Sequence, residues 1–69
     1  MASITPLARV IFETRRKQRD IARRAKIHES RFSNIVNGHI DARSDEQDRI
    51  ARAMRRPRHE LFPPVEVTP

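Results

Sequence analysis

QRDIARRAKIHESRFSNIVNG, residues 18–38, ends on the only glycine of the chain and contains two short apolar sets separated by six residues. Ile21, Ala22 and Ala25 form the first set; Phe32, Ile35 and Val36 form the second. Both repeat at three and four residues, the rhythm of a helix that turns one face to a core. The spacing predicts helices over about 18–25 and 29–37. Lys26, Ile27 and His28 are then the whole connection, too short for an easy antiparallel hairpin, so the two helices should cross steeply as a helix-turn-helix. Gly38 takes the left-handed conformation freely and is placed to stop the second helix.

Working outward, Thr5-Pro6 is a helix start, with threonine as the cap and proline at the first helical position. Leu7, Val10, Ile11 and Thr14 mark one face of a helix running to about Arg16. Downstream, Ser44 with Gln47 three residues on suggests a capping box. The helix it opens should run to about Arg55 and bury Ile50, Ala51 and either Ala53 or Met54. Beyond Pro57 a last short turn returns Leu61 and Phe62 to the core. Phe12 and Phe32 are expected there as well. The expectation is an all-α bundle of about five short helices over residues 1–62, followed by an extended tail, 63–69.

Sixty-nine residues allow one small domain of modest stability. Without cysteine it has no disulfides and no thiolate zinc site, so it relies on regular helix packing, a partner subunit, or both. No apolar run is long enough to span a membrane, and the N-terminus lacks the pattern of a secretory leader. A cytoplasmic location is the default. The net charge is +6, and its distribution is uneven. Residues 1–31 carry nine Lys or Arg against Glu13, Asp20 and Glu29, whereas residues 32–69 carry six of each sign. All the excess lies in the first half, as a surface for a polyanion would require.

Within this basic chain, the second helix of the pair presents Glu29, Ser30, Ser33, Asn34 and Asn37 opposite its apolar side, with Arg31 on the flank. Positive charge holds phosphates of any sequence; choosing between bases takes short donors and acceptors on a helix that enters the major groove. Asn34 suits adenine, and Glu29 suits the amino group of cytosine, although a carboxylate there also suits the helix dipole. Arg31 suits guanine or a phosphate.

These residues resemble the Cro/C1-type, lambda-repressor-like helix-turn-helix family of phage repressors. The resemblance runs from about Leu7 to Phe62. It rests on Gln18, Ile21-Ala22, Ala25 and Ile27, then Phe32-Ser33, Ile35 and Asn37-Gly38. Ile50-Ala51-Arg52-Ala53 and Glu60-Leu61-Phe62 extend it. Two positions depart from the family pattern: Lys26 stands where glycine is usual, and Lys17 where a Ser or Thr cap is preferred. A positive φ at Lys26 would cost about 1–2 kcal/mol.

The resemblance implies that His28, Glu29, Ser30, Ser33 and Asn34 read bases. It implies that Gln18, Arg19, Arg23, Arg31, Asn37, His39 and Arg43 hold the DNA backbone. It further implies a homodimer on double-stranded DNA, with Leu61, Phe62, Pro64 and Val65 as the candidate interface. The larger repressors of this family attach a sensor domain after the helices, so the expectation is a small stand-alone regulator of phage, prophage or plasmid type. No cofactor, metal, small-molecule ligand or membrane partner is expected.

Other readings have less behind them. His28, His39 and His59 do not have metal-ligand spacing, and no serine has a histidine–carboxylate relay, so an enzyme is not expected. An antitoxin-like interaction module would have only residues 63–69 to cover a toxin. A non-specific nucleic-acid binder remains open, but three phenylalanines assigned to the core leave no platform for stacking bases.

Overall fold

The computed structural model describes residues 5–63, and among them five helices account for nearly all the regular structure. They are α1 (Pro6–Thr14), α2 (Gln18–Ala25), α3 (Glu29–Val36), α4 (Ser44–Met54) and α5 (Arg58–Leu61). There is no strand among the described residues. The protein is an all-α bundle. Helix α2 packs against α3 and α4, and α5 closes the far side against α1 and α4.

The core takes one large side chain from each helix: Leu7, Ile21, Phe32, Ile50 and Leu61 are all essentially inaccessible to solvent. Val10, Ile11, Ile27, Ile35, Val36 and Met54 fill the spaces between them. Both Ala53 and Met54 are buried, where the sequence left one or the other. Alanines at 22, 25, 51 and 53 are buried too, and their small size lets the helix backbones approach closely.

Helix ends are satisfied individually. Thr5 caps α1, its Oγ1 accepting from the Ala8 backbone N–H at 3.0 Å, with Pro6 in the first turn. The same hydroxyl donates to the Val36 carbonyl at 2.7 Å, so one side chain starts α1 and closes α3. The remaining last-turn carbonyls of α3 are also used. Asn37 N–H donates to Ser33, His39 N–H to Asn34 and Gly38 N–H to Ile35. All four orphan acceptors of that helix end therefore have partners. Gly38 has φ +79°, and a Cβ there would lie 3.3 Å from Thr5 Cγ2.

Several boundaries differ from the sequence reading. Helix α1 stops at Thr14 and α3 at Val36. Ser44 is the first helical residue of α4 and not its cap; Arg43, with extended backbone, holds that position. Gln47 therefore has no box to close. Its amide spans to the Ala42 carbonyl at 3.0 Å and to Arg58 Nε at 2.8 Å, fastening the α3–α4 loop and α5 to α4.

Phe12 is not in the core: it is 84% exposed. Leu7, Val10, Ile11 and Thr14 define one side of α1, and residue 12 lies about 100° or more from each of Leu7, Ile11 and Val10. Periodicity outweighs aromatic character at that position.

Thr5→Val preserves shape and removes the doubly used hydroxyl. It is expected to lower stability by about 1–2 kcal/mol, measured by urea unfolding, with the helical circular dichroism of the folded state unchanged.

Candidate nucleic-acid interface

The turn from α2 into α3 is made by a lysine in the left-handed conformation: Lys26 has φ 57° and ψ 43°. Its N–H and that of Ile27 close the end of α2 onto Arg23 and Ala22, while the Ile27 side chain is buried. Backbone closure and an apolar anchor thus fix the three-residue joint at both levels. Lys17 precedes α2 without any side-chain capping bond, as expected from its lack of an acceptor.

Helix α3 starts at His28, whose Nδ1 accepts from the Ser30 backbone N–H at 3.3 Å and lies 2.9 Å from Ser30 Oγ. An accepting Nδ1 places the ring proton on Nε2, so the outward nitrogen is a donor. Ser30, Asn34 and Asn37 are exposed and Ser33 half-buried, a stripe at 30, 33, 34 and 37 opposite Phe32, Ile35 and Val36. Glu29 is exposed on the first turn and lies 3.9 Å from Arg19 Nε, an exposed pair at the seam with α2. Arg19 and Arg23 share the outer side of α2, and Gln18 is half-buried at its start. His39 and Arg43 are exposed in the loop after α3.

Arg31 is placed differently from the expectation of a free cation. Its Nε and Nη2 donate to Glu46 Oε2 at 2.6 Å and Oε1 at 2.9 Å, a side-on fork that ties α3 to α4. Glu46 is buried and also accepts from the Arg43 backbone N–H at 2.8 Å. The hydrogen bond from Arg31, helped by the one from Arg43, holds the Glu46 carboxyl at about 2, below its ordinary 4.5, despite the opposing effect of burial. The guanidinium is shifted upward by the same bond. Arg31 orients the helix that carries the polar stripe, and the flank position that suggested phosphate binding is taken by a carboxylate fifteen residues away. Sequence alone did not indicate this, because Glu46 looks like one more acid at a helix N-terminus.

Leu61 is also withdrawn from its expected role. It is 1% exposed within its own chain and so has no surface to offer a second copy. Phe62 is half-buried against the core; Pro64 and Val65 lie outside the described residues.

The acids of the second half are mostly neutralised within it, through Arg49–Asp45, Arg56–Glu60 and Arg58–Asp48. The surplus of the first half is not. Among the described residues Arg23 and Arg24 on α2 pair with no carboxylate. The same residues contain no group of three or more His, Asp or Glu able to hold a metal, and no helix long and apolar enough to cross a membrane. Comparison of the chain with family models, curated proteins and solved structures finds no match.

Because the Glu46 carboxyl is lowered on folding, its contribution is complete above about pH 4.5 and is lost as pH falls toward about 2. Glu46→Gln is expected to cost about 1–3 kcal/mol at neutral pH and to flatten the acid limb of thermal stability. Arg31→Met should cost more, since it leaves a buried carboxylate without its cation. That deficit should shrink on acidification, as protonation neutralises the stranded group. Scanning calorimetry of the three proteins from pH 7 to pH 3 checks the order and the convergence.

Proposed function

We propose that the protein is a sequence-specific double-stranded DNA-binding regulator that uses α2 and α3 as a helix-turn-helix. The observation that carries this reading is the outward stripe of α3, Ser30, Ser33, Asn34 and Asn37, beside the exposed arginines of α2. A stripe of short, neutral donors and acceptors on a basic chain suits base edges in a major groove, and the flanking cations suit the phosphates on either side.

In this arrangement His28 offers an Nε2–H donor, and Ser30, Ser33 and Asn34 read adjacent base edges. Arg19, Arg23, Asn37, His39 and Arg43 hold the backbone, and Gln18 braces the start of α2. Glu29 discriminates by exclusion: a carboxylate repels phosphates and oxygen acceptors and tolerates an amino donor. One head covers only a few base pairs, so two copies on inverted half-sites about one helical turn apart are the expected assembly. Repression by occupying a promoter, in the cytoplasm, is the simplest output of such a protein, and the resemblance to Cro/C1-type repressors points the same way.

Selection of bound sequences from a randomised duplex pool at about 150 mM salt, where non-specific attraction is weakened, is the direct test. An inverted repeat is the expected result. Binding without enrichment, vanishing as salt rises, would sink the reading and leave a basic domain without sequence choice.

Asn34→Ala should relax preference at one position per half-site, costing about 1–3 kcal/mol of discrimination there, with an unchanged salt slope. Arg19→Ala or Arg23→Ala should weaken all duplexes alike and reduce the slope by about one. Fluorescence anisotropy on matched and mismatched duplexes over a salt series separates the two behaviours. Equal effects of all three substitutions would show that readers and anchors are wrongly divided.

A further inference from the structure

Three non-glycine residues have positive φ among the described residues, Arg15, Lys26 and Arg55, at φ 57°, 57° and 56°. Each closes a helix: α1, α2 and α4 respectively. All three are cations, and all three border one surface. Arg15 lines a groove shared with Lys17 and Arg24; Lys26 and Arg55 line a neighbouring groove shared with Arg24, Arg49 and Arg52. Arg24 belongs to both grooves and joins them into one face along the seam of α2 and α4. The single acid lining either groove is Asp20. Arg15, Lys17, Arg24, Lys26, Arg52 and Arg55 have no carboxylate partner among the described residues. No residue of α3 borders this face.

Both the backbone and the charge are unfavourable here. A left-handed conformation is costly for any side chain beyond glycine, and like charges gathered on one face repel. At α2 and α4 the helix dipole does not require them, since Arg23, Arg24 and Arg52 already stand in the last turns; α1 has no basic residue in its last turn, so Arg15 also complements that dipole. Strain retained at three positions of one surface points to a use for that surface.

We infer that this face binds the phosphate backbone of a nucleic-acid duplex, separately from the α3 face. Guanidinium groups predominate, and their planar forks match phosphate oxygens. A protein partner would require buried apolar or aromatic anchors, and the apolar side chains lining the grooves, Ile21 and Ala53, are already buried. A single strand would require aromatic rings to stack on, and none lines the grooves. The surface is defined by its own residues and would hold a duplex whether or not α3 selects a sequence; only its standing as a second site rests on that proposal. With both faces occupied, one chain bridges two DNA segments.

The test replaces the strained cations by the residue their backbone favours: Arg15→Gly, Lys26→Gly and Arg55→Gly together in the full chain. Bridging is read as capture of a labelled random-sequence duplex by an immobilised one, and affinity by anisotropy over a salt series. The variant is expected to melt at or above the parent temperature and lose bridging. Its salt slope should fall by about 2–3, for three cations removed. A companion with glutamine at the same three positions removes the charge but keeps the backbone demand, and should show the same binding loss even if the glycine variant does not fold. Bridging and slope unchanged in a folded variant would overturn the inference and leave the cations as helix-end charges. Polyglutamate binding as firmly as duplex at equal charge would also overturn it, in favour of an acidic protein partner. The fall in salt slope on the triple substitution reads this face alone. Bridging also needs the α3 face, so a parent that binds with this slope but does not bridge counts against the α3 proposal and not against this one.

Discussion

A buried carboxylate needs full compensation, and the arrangement around Glu46 shows how this small bundle meets that demand. Arg31 supplies two charge-assisted hydrogen bonds and the Arg43 backbone a third. The result joins the side of α3 to the first turn of α4 and sets the rotation of α3 about its own axis. That rotation decides which residues face outward. Burial of Phe32, Ile35 and Val36 turns the stripe of Ser30, Ser33, Asn34 and Asn37 outward, and Arg31 held against α4 secures that setting. Such pairs contribute little net stability compared with apolar packing; here the pair's effect is to fix one orientation.

The same economy appears at the other end of α3. Thr5 uses one hydroxyl to cap α1 and to satisfy the last carbonyl of α3, and Gly38 allows the chain to wind back over the remaining ones. A helix of only eight residues has little intrinsic stability. It is held at its start by His28, along its side by Arg31 and at its end by Thr5. Such fastening suits a helix whose exposed side chains must arrive at a ligand already positioned, since each rotamer or hinge left free is an entropic cost of binding.

The charge follows a similar logic. Asp45, Asp48 and Glu60 are taken up by Arg49, Arg58 and Arg56 in and between α4 and α5, leaving most of the surplus of the first half to face outward. The cations divide into those on the α3 side of α2, Arg19 and Arg23, and those on the α4 side, of which Arg24 is the centre. One basic edge beside the neutral polar stripe and a second basic face away from it are a different object from a uniformly basic surface.

Local sequence determined most of the architecture, because helix boundaries depend on local chemistry. The limits of α2, the closure at Gly38 and the return of Leu61 all follow from propensity, capping and apolar spacing within a few residues. The outward stripe of α3 was legible for the same reason. Tertiary structure alone decided what depends on residues far apart in the chain. Arg31 and Glu46 meet across fifteen residues, Thr5 reaches Val36 across thirty-one, and the ends of α1, α2 and α4 come together as one basic face. Hydrogen bonds and charge clusters of this kind leave no periodic trace. Arg31 therefore looked like a contact to DNA, and Phe12, judged by its hydrophobicity, like part of the core.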